Sequence, residues 1–133
     1  MRTVNKENES KVVTVYGNAP AASVTSATQL PYPYGSVIVM ETAGALTNAQ
    51  GKLLLDARGN LRKDTVTGLH VMRREKGFGA AYGPNRTAEW EYVEYSADGR
   101  FLTPPQKSAT CAACHLKAGP QRDYVYHGRL SSN

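Results

Sequence analysis

No apolar run in this sequence approaches the roughly 18 residues that a membrane-spanning helix needs, and the longest, Val37 to Met40, is the size of a strand. A spanning helix is therefore excluded. The opening MRTVNKENESK is polar and has no apolar core of the kind that marks a signal peptide. Sixteen Lys and Arg against eleven Asp and Glu give a net charge of +5. They are scattered, with neither a dense basic run nor basic–aromatic interleaving, so nucleic acid is not an expected partner. There is also no internal repeat, no low-complexity tract and no shift of composition, so residues 1–133 are expected to form a single domain.

What is present is the composition of an ordinary globular chain, 41% hydrophobic and 20% charged. Lys11 to Tyr16 (KVVTVY) is rich in β-branched residues and ends at Gly17-Asn18, which predicts a strand and a turn. Ala19 to Gln29 predicts a short helix started at Asn18, with Pro20 in its first turn. After the breaker Pro31-Tyr32-Pro33-Tyr34-Gly35, Ser36 to Thr42 is a strand apolar on both faces. Lys52 to Asp56, closed by a turn at Ala57 to Asn60, and Thr67 to Arg73 are further strands. Glu89 to Tyr95 puts Trp90, Tyr92 and Glu94 on one face and leads into Asp98-Gly99, a strong hairpin signal. Ser108 to Ala118 is Ala-rich, capped by Ser108 or Thr110 and stopped at Gly119-Pro120, and predicts a helix. There is no βαβ rhythm. The expected class is α+β, mostly antiparallel β-sheet with a few helices, the helix near the C-terminus carrying the motif described next.

Both cysteines lie in Cys111-Ala112-Ala113-Cys114-His115, a CxxCH motif. On a helix, Cys111, Cys114 and His115 stand at i, i+3 and i+4 and project from one face. Two thiols so placed can add to the two vinyl groups along one edge of a porphyrin while the imidazole reaches the iron, which is the attachment of haem c. The alternatives are a CxxC redox pair, half of a zinc site, or coincidence. Zinc would need two more ligands, and the remaining histidines, His70 and His127, stand at no finger-like spacing. A redox pair would be expected beside a βαβ unit. Haem is the reading these residues favour. Covalent haem attachment in bacteria takes place outside the cytoplasmic membrane, so a periplasmic or otherwise exported protein is expected, with this sequence a mature or trimmed form and Met1 an added residue.

CAACH followed by Asp123-Tyr124-Val125-Tyr126, preceded by the strand WEYVEY, by Tyr34-Gly35-Ser36-Val37-Ile38-Val39 and by Thr14-Val15-Tyr16, resembles the cytochrome P-460 family, including its β-sheet cytochromes c′, over about residues 11 to 127. The resemblance implies an antiparallel β fold with a few helices, a homodimer, and a haem between the sheet and the CxxCH helix, its iron held by His115. Hydroxylamine-oxidising members cross-link the porphyrin to a lysine just after the GxVxV strand, a position that falls here on Met40, and place a distal arginine where Val13 stands. Neither group is present, so the cross-link and hydroxylamine oxidation are not expected. In gas-binding relatives a phenylalanine caps the distal face; here a sulfur replaces it.

By period two, Ser36, Ile38, Met40 and Thr42 share a face, the one the resemblance turns toward the haem, so Met40 is expected as the distal iron ligand and Val13 and Ile38 as distal pocket residues. Its alternative is apolar packing against the porphyrin. Met72 is a rival sulfur, and Met1 sits too near the terminus to serve. His70 and His127 read as surface or hydrogen-bonded histidines. The second nitrogen of His115 needs an acceptor, a backbone carbonyl or a carboxylate such as Asp123, though Asp123 reads better as a turn residue. Arg122 and Arg129 are generic partners for the propionates, and Trp90 and Tyr92 read as core or haem-packing aromatics. Electron transfer to a redox partner protein is the first functional expectation; weak peroxidase-like turnover and binding of nitric oxide or carbon monoxide are the alternatives.

Overall fold

The computed structural model describes the backbone of residues 2–6 and the whole of residues 11–126. Six strands make one antiparallel sheet in sequence order: β1 (Arg2–Lys6), β2 (Lys11–Gly17), β3 (Val37–Ala45), β4 (Lys63–Arg74), β5 (Trp90–Ser96) and β6 (Phe101–Thr103). The predicted strands at 11–16, 36–42, 67–73 and 89–95 and the hairpin at Asp98-Gly99 are all found, β3 and β4 running longer than expected. With two α-helices and four short 3₁₀ segments among the described residues, the fold is α+β as expected.

Two expectations need correction, and one strand is additional to those expected. The helix predicted over Ala19 to Gln29 is one turn, α1 (Ala19–Ala22), followed by a separate 3₁₀ turn at Ala27–Gln29. The cap and Pro20 are where the sequence puts them, with Asn18 Oδ1 accepting from the Ala21 amide at 3.3 Å. The Gln29 side chain breaks the continuation, because its Oε1 accepts from the Thr25 and Ser26 amides at 2.7 and 3.2 Å and draws the chain into a local turn. Lys52 to Asp56 is no strand of the sheet; it makes only isolated bridges, Thr47 to Leu53 and Leu55 to Leu61. The turn after it is as predicted, with Asp56 Oδ1 accepting from the Arg58 and Asn60 amides at 2.8 and 3.0 Å. Arg2–Lys6 pairs with β2 although its polar sequence carries no strand periodicity.

Cross-strand register decides what shares a face. Val15, Met40, His70 and Glu94 stand in one row across β2 to β5, and Ile38, Met72 and Tyr92 in the next. Against this face lies α2 (Ala109–Leu116), seated by Ala112, which is fully buried. The core forms here, around Val13, Val15, Ile38, Met72, Tyr82, Trp90, Tyr92 and Val125. Burying this apolar surface at about 25 cal/mol per Å² is the main force holding helix to sheet. Trp90, with no exposed surface, meets Tyr32 edge to face at 5.7 Å. The opposite face carries the ion pairs Arg73–Glu91 at 2.5 Å and Lys63–Glu41.

Candidate functional site

A cavity of about 530 Å³ opens between the sheet and α2, inside the range of small-molecule and cofactor sites. Its sheet wall includes Val15, Ile38, Met40, His70, Met72 and Tyr92, with Val71 and Val93 between them, and its helix wall is Thr110, Cys111, Cys114 and His115. Val125 and Tyr126, from the chain leaving the helix, close one side. The helical spacing has the consequence expected of it, since Cys111, Cys114 and His115 all line one cavity while Ala112 turns away into the core. Both cysteines are free thiols, Cys114 exposed and Cys111 half-buried. Burial raises the pKa of the Cys111 thiol, and the Glu94 charge adds to the shift.

The His115 imidazole is fixed on every side. Its Nδ1 lies 2.7 Å from the Tyr124 carbonyl oxygen. A carbonyl only accepts, so Nδ1 carries the proton and donates, which leaves the Nε2 lone pair for a metal. Tyr92 packs against the ring at 4.7 Å and Tyr126 at 5.3 Å. The Tyr126 hydroxyl donates to the Cys114 carbonyl at 2.6 Å and ties that ring to the helix. Burial lowers the imidazole's pKa, with the His70 charge pushing the same way and the Tyr124 carbonyl opposing, so the ring is neutral at neutral pH. Tyr92 is held in turn. Its hydroxyl shares a 2.6 Å hydrogen bond with Thr87, and burial pushes the phenol well above its ordinary pKa, so it is a neutral packing group.

Met40 and Ile38 lie in the cavity wall as the sequence suggested, Met40 half-buried between Val15 and His70. Val13 is buried in the adjoining core but is not among the lining residues; Val15, two positions on and directly across from Met40, takes that place. Period two puts Val15 on the same face of its strand as Val13, so it could have been named with it. Met72 lines the cavity from the buried core. His70, read from sequence as a surface or hydrogen-bonded histidine, is exposed yet lines the cavity as the cross-strand neighbour of Met40.

Asp123 does not meet His115. It is a buried turn residue, as its surroundings in sequence suggested, and the acceptor is the next residue's carbonyl. Arg122 donates from Nε and Nη2 to the Val125 and Tyr126 carbonyls at 3.1 and 2.5 Å. His127 and Arg129 lie outside the described residues. A backbone carbonyl was one of the two acceptors expected for His115, but that it is Tyr124's, and that the Tyr126 ring packs on the imidazole, follows only from the turn between them.

One neutral imidazole and two free thiols on one wall of an apolar cavity, facing methionine sulfur, form a donor set that fits a haem and would suit few other groups. No curated protein matches the chain. The family model for cytochrome P460 matches residues 1–127. Covering nearly the whole chain, that match establishes that the protein belongs to the cytochrome P460 family, and with it a haem cofactor.

Proposed function

We propose that this is a c-type cytochrome in which Cys111 and Cys114 hold one haem covalently, His115 is the proximal ligand and Met40 the distal ligand, and that it carries electrons. The observation that carries this reading is the cavity itself, with CxxCH on one wall and Met40 at the centre of the facing row. When bound, the haem supplies a one-electron iron couple, and a thioether opposite an imidazole raises its potential by favouring the ferrous state. The protein's own residues do the rest. The Tyr124 carbonyl fixes the tautomer of His115, Tyr92 and Tyr126 restrict its ring, and the apolar Val15 and Ile38 keep water from the sulfur. With methionine where the cross-linking lysine would stand and valine at the arginine position, the porphyrin cross-link and hydroxylamine oxidation are not part of this function.

The setting follows from the family, whose proteins are typically exported, and no described helix is long and apolar enough to cross a membrane. A periplasmic electron carrier meeting an acidic partner by its net charge of +5 is the consistent picture. A homodimer would use the sheet face away from the cavity, where Tyr16 is exposed and Val39 beside it is half-buried.

One observation favours a second reading. His70 puts an imidazole in the cavity wall beside Met40, and if the sulfur does not bind iron, that ring is a hydrogen-bond donor for a diatomic ligand or peroxide. Absorption spectra of the oxidised and reduced protein, with and without nitric oxide, separate the two. Met40 ligation requires a sulfur-to-iron charge-transfer band in the ferric protein that is lost in Met40→Ala. A five-coordinate ferric wild type would contradict it.

A further inference from the structure

The Tyr124 carbonyl that fixes His115 is delivered by an unusual backbone. Asp123 and Tyr124 have φ of +48° and +61°, two successive residues in the left-handed region that side chains other than glycine rarely occupy. Something must hold them there. Asp123 is only 4% exposed, and its Oδ2 accepts from the Tyr32 amide at 3.0 Å while its Oδ1 lies 3.5 Å from Arg74 Nη1. Arg74 is itself buried at the end of β4, held by Glu89 at 3.7 Å and by the Tyr34 ring at 5.2 Å. Burial pushes the Asp123 carboxyl above the ordinary carboxylate range, opposed by the Tyr32 amide, by Arg74 and, more weakly, by the Trp90 indole N–H, which is buried without a hydrogen bond directly across from Arg74 in the sheet.

A buried ion pair is a weak device for stability, since apolar side chains of the same volume often serve as well. It is a strong device for geometry. We propose that Asp123, clamped by Arg74 and Tyr32, is a positioning residue for the proximal imidazole: it holds the 123–124 turn and, through the Tyr124 carbonyl, sets the orientation and donor strength of His115. This rests on the reading of His115 as an iron ligand. The interposed carbonyl matters chemically. A carboxylate placed directly on Nδ1 would draw its proton and strengthen the imidazole as a donor to ferric iron, whereas a carbonyl is a milder acceptor and keeps the ligand neutral.

The test uses the haem-loaded protein with Asp123→Asn and, independently, Arg74→Gln. Loosening the turn weakens the Nδ1 hydrogen bond and the donor, so the redox equilibrium should move about tenfold toward the reduced form, a rise of about 59 mV for a one-electron couple. In the reduced wild type the Nδ1 proton should exchange slowly with solvent, and in both variants faster. Haem-loaded variants that keep the wild-type potential and exchange rate would overturn the inference, and so would rapid exchange in the wild type itself, whichever variant folds. A wild type whose mass shows no haem would overturn the function proposed above and this inference with it.

Discussion

His115 has one ring nitrogen hydrogen-bonded and one left over, and what the cavity can do depends on which side chains stand on its sheet wall. Met40, His70 and Met72 all line that wall, in two adjacent cross-strand rows. Periodicity put Met40 and Ile38 on one strand face and the family resemblance turned that face toward the haem, while helical spacing alone brought Cys111, Cys114 and His115 together because it depends only on local geometry. His70 could not be separated from an ordinary surface histidine, since its place across from Met40 is a matter of register between two strands. In a Met40→Ala background, where a diatomic ligand has room, replacing His70 by Leu should speed nitric oxide release roughly tenfold, as expected for one lost hydrogen bond of about 1.4 kcal/mol. Stopped-flow release measurements would show it, and unchanged rates would remove His70 from the distal site.

Among the elements, the helix carrying the motif was legible from its alanines and its Gly119-Pro120 stop, and the four central strands from β-branched and aromatic alternation. What could not be read was support from irregular structure. The 3₁₀ segment Ala80–Asn85 packs against α2 and brings the buried Tyr82, whose hydroxyl accepts from the Tyr92 amide at 2.9 Å. That segment starts at Gly79, with φ +86°, where a Cβ would stand 2.8 Å from the Trp90 carbonyl oxygen. Gly79→Ala combines a left-handed backbone with a clash against backbone, and should cost at least about 1–3 kcal/mol of unfolding free energy by denaturant titration. A change within a few tenths would mean that the segment shifts freely and does not brace the helix. The Asp123–Tyr124 turn belongs to the same class, since it has no sequence signal beyond a lone acidic residue after Gly119-Pro120 and is set by contacts with Arg74 and Tyr32, far away in the chain.

For the molecule as a whole, the sheet offers a face rich in side chains from β2 to β5, and a single short helix closes over it to leave a cavity of about 530 Å³ within the core. A fold that packs its core around such a space gains stability when the space is filled by a large apolar group. Membership of the cytochrome P460 family accounts for the haem, and the residues of this chain argue for its attachment and ligation. The most direct test is the intact mass of the denatured protein, expressed with a covalent haem-attachment system, for the wild type and for Cys111→Ala/Cys114→Ala. The wild type should carry the mass of one haem through denaturation and the double variant should not; a wild-type chain of unmodified mass would contradict covalent attachment at CxxCH.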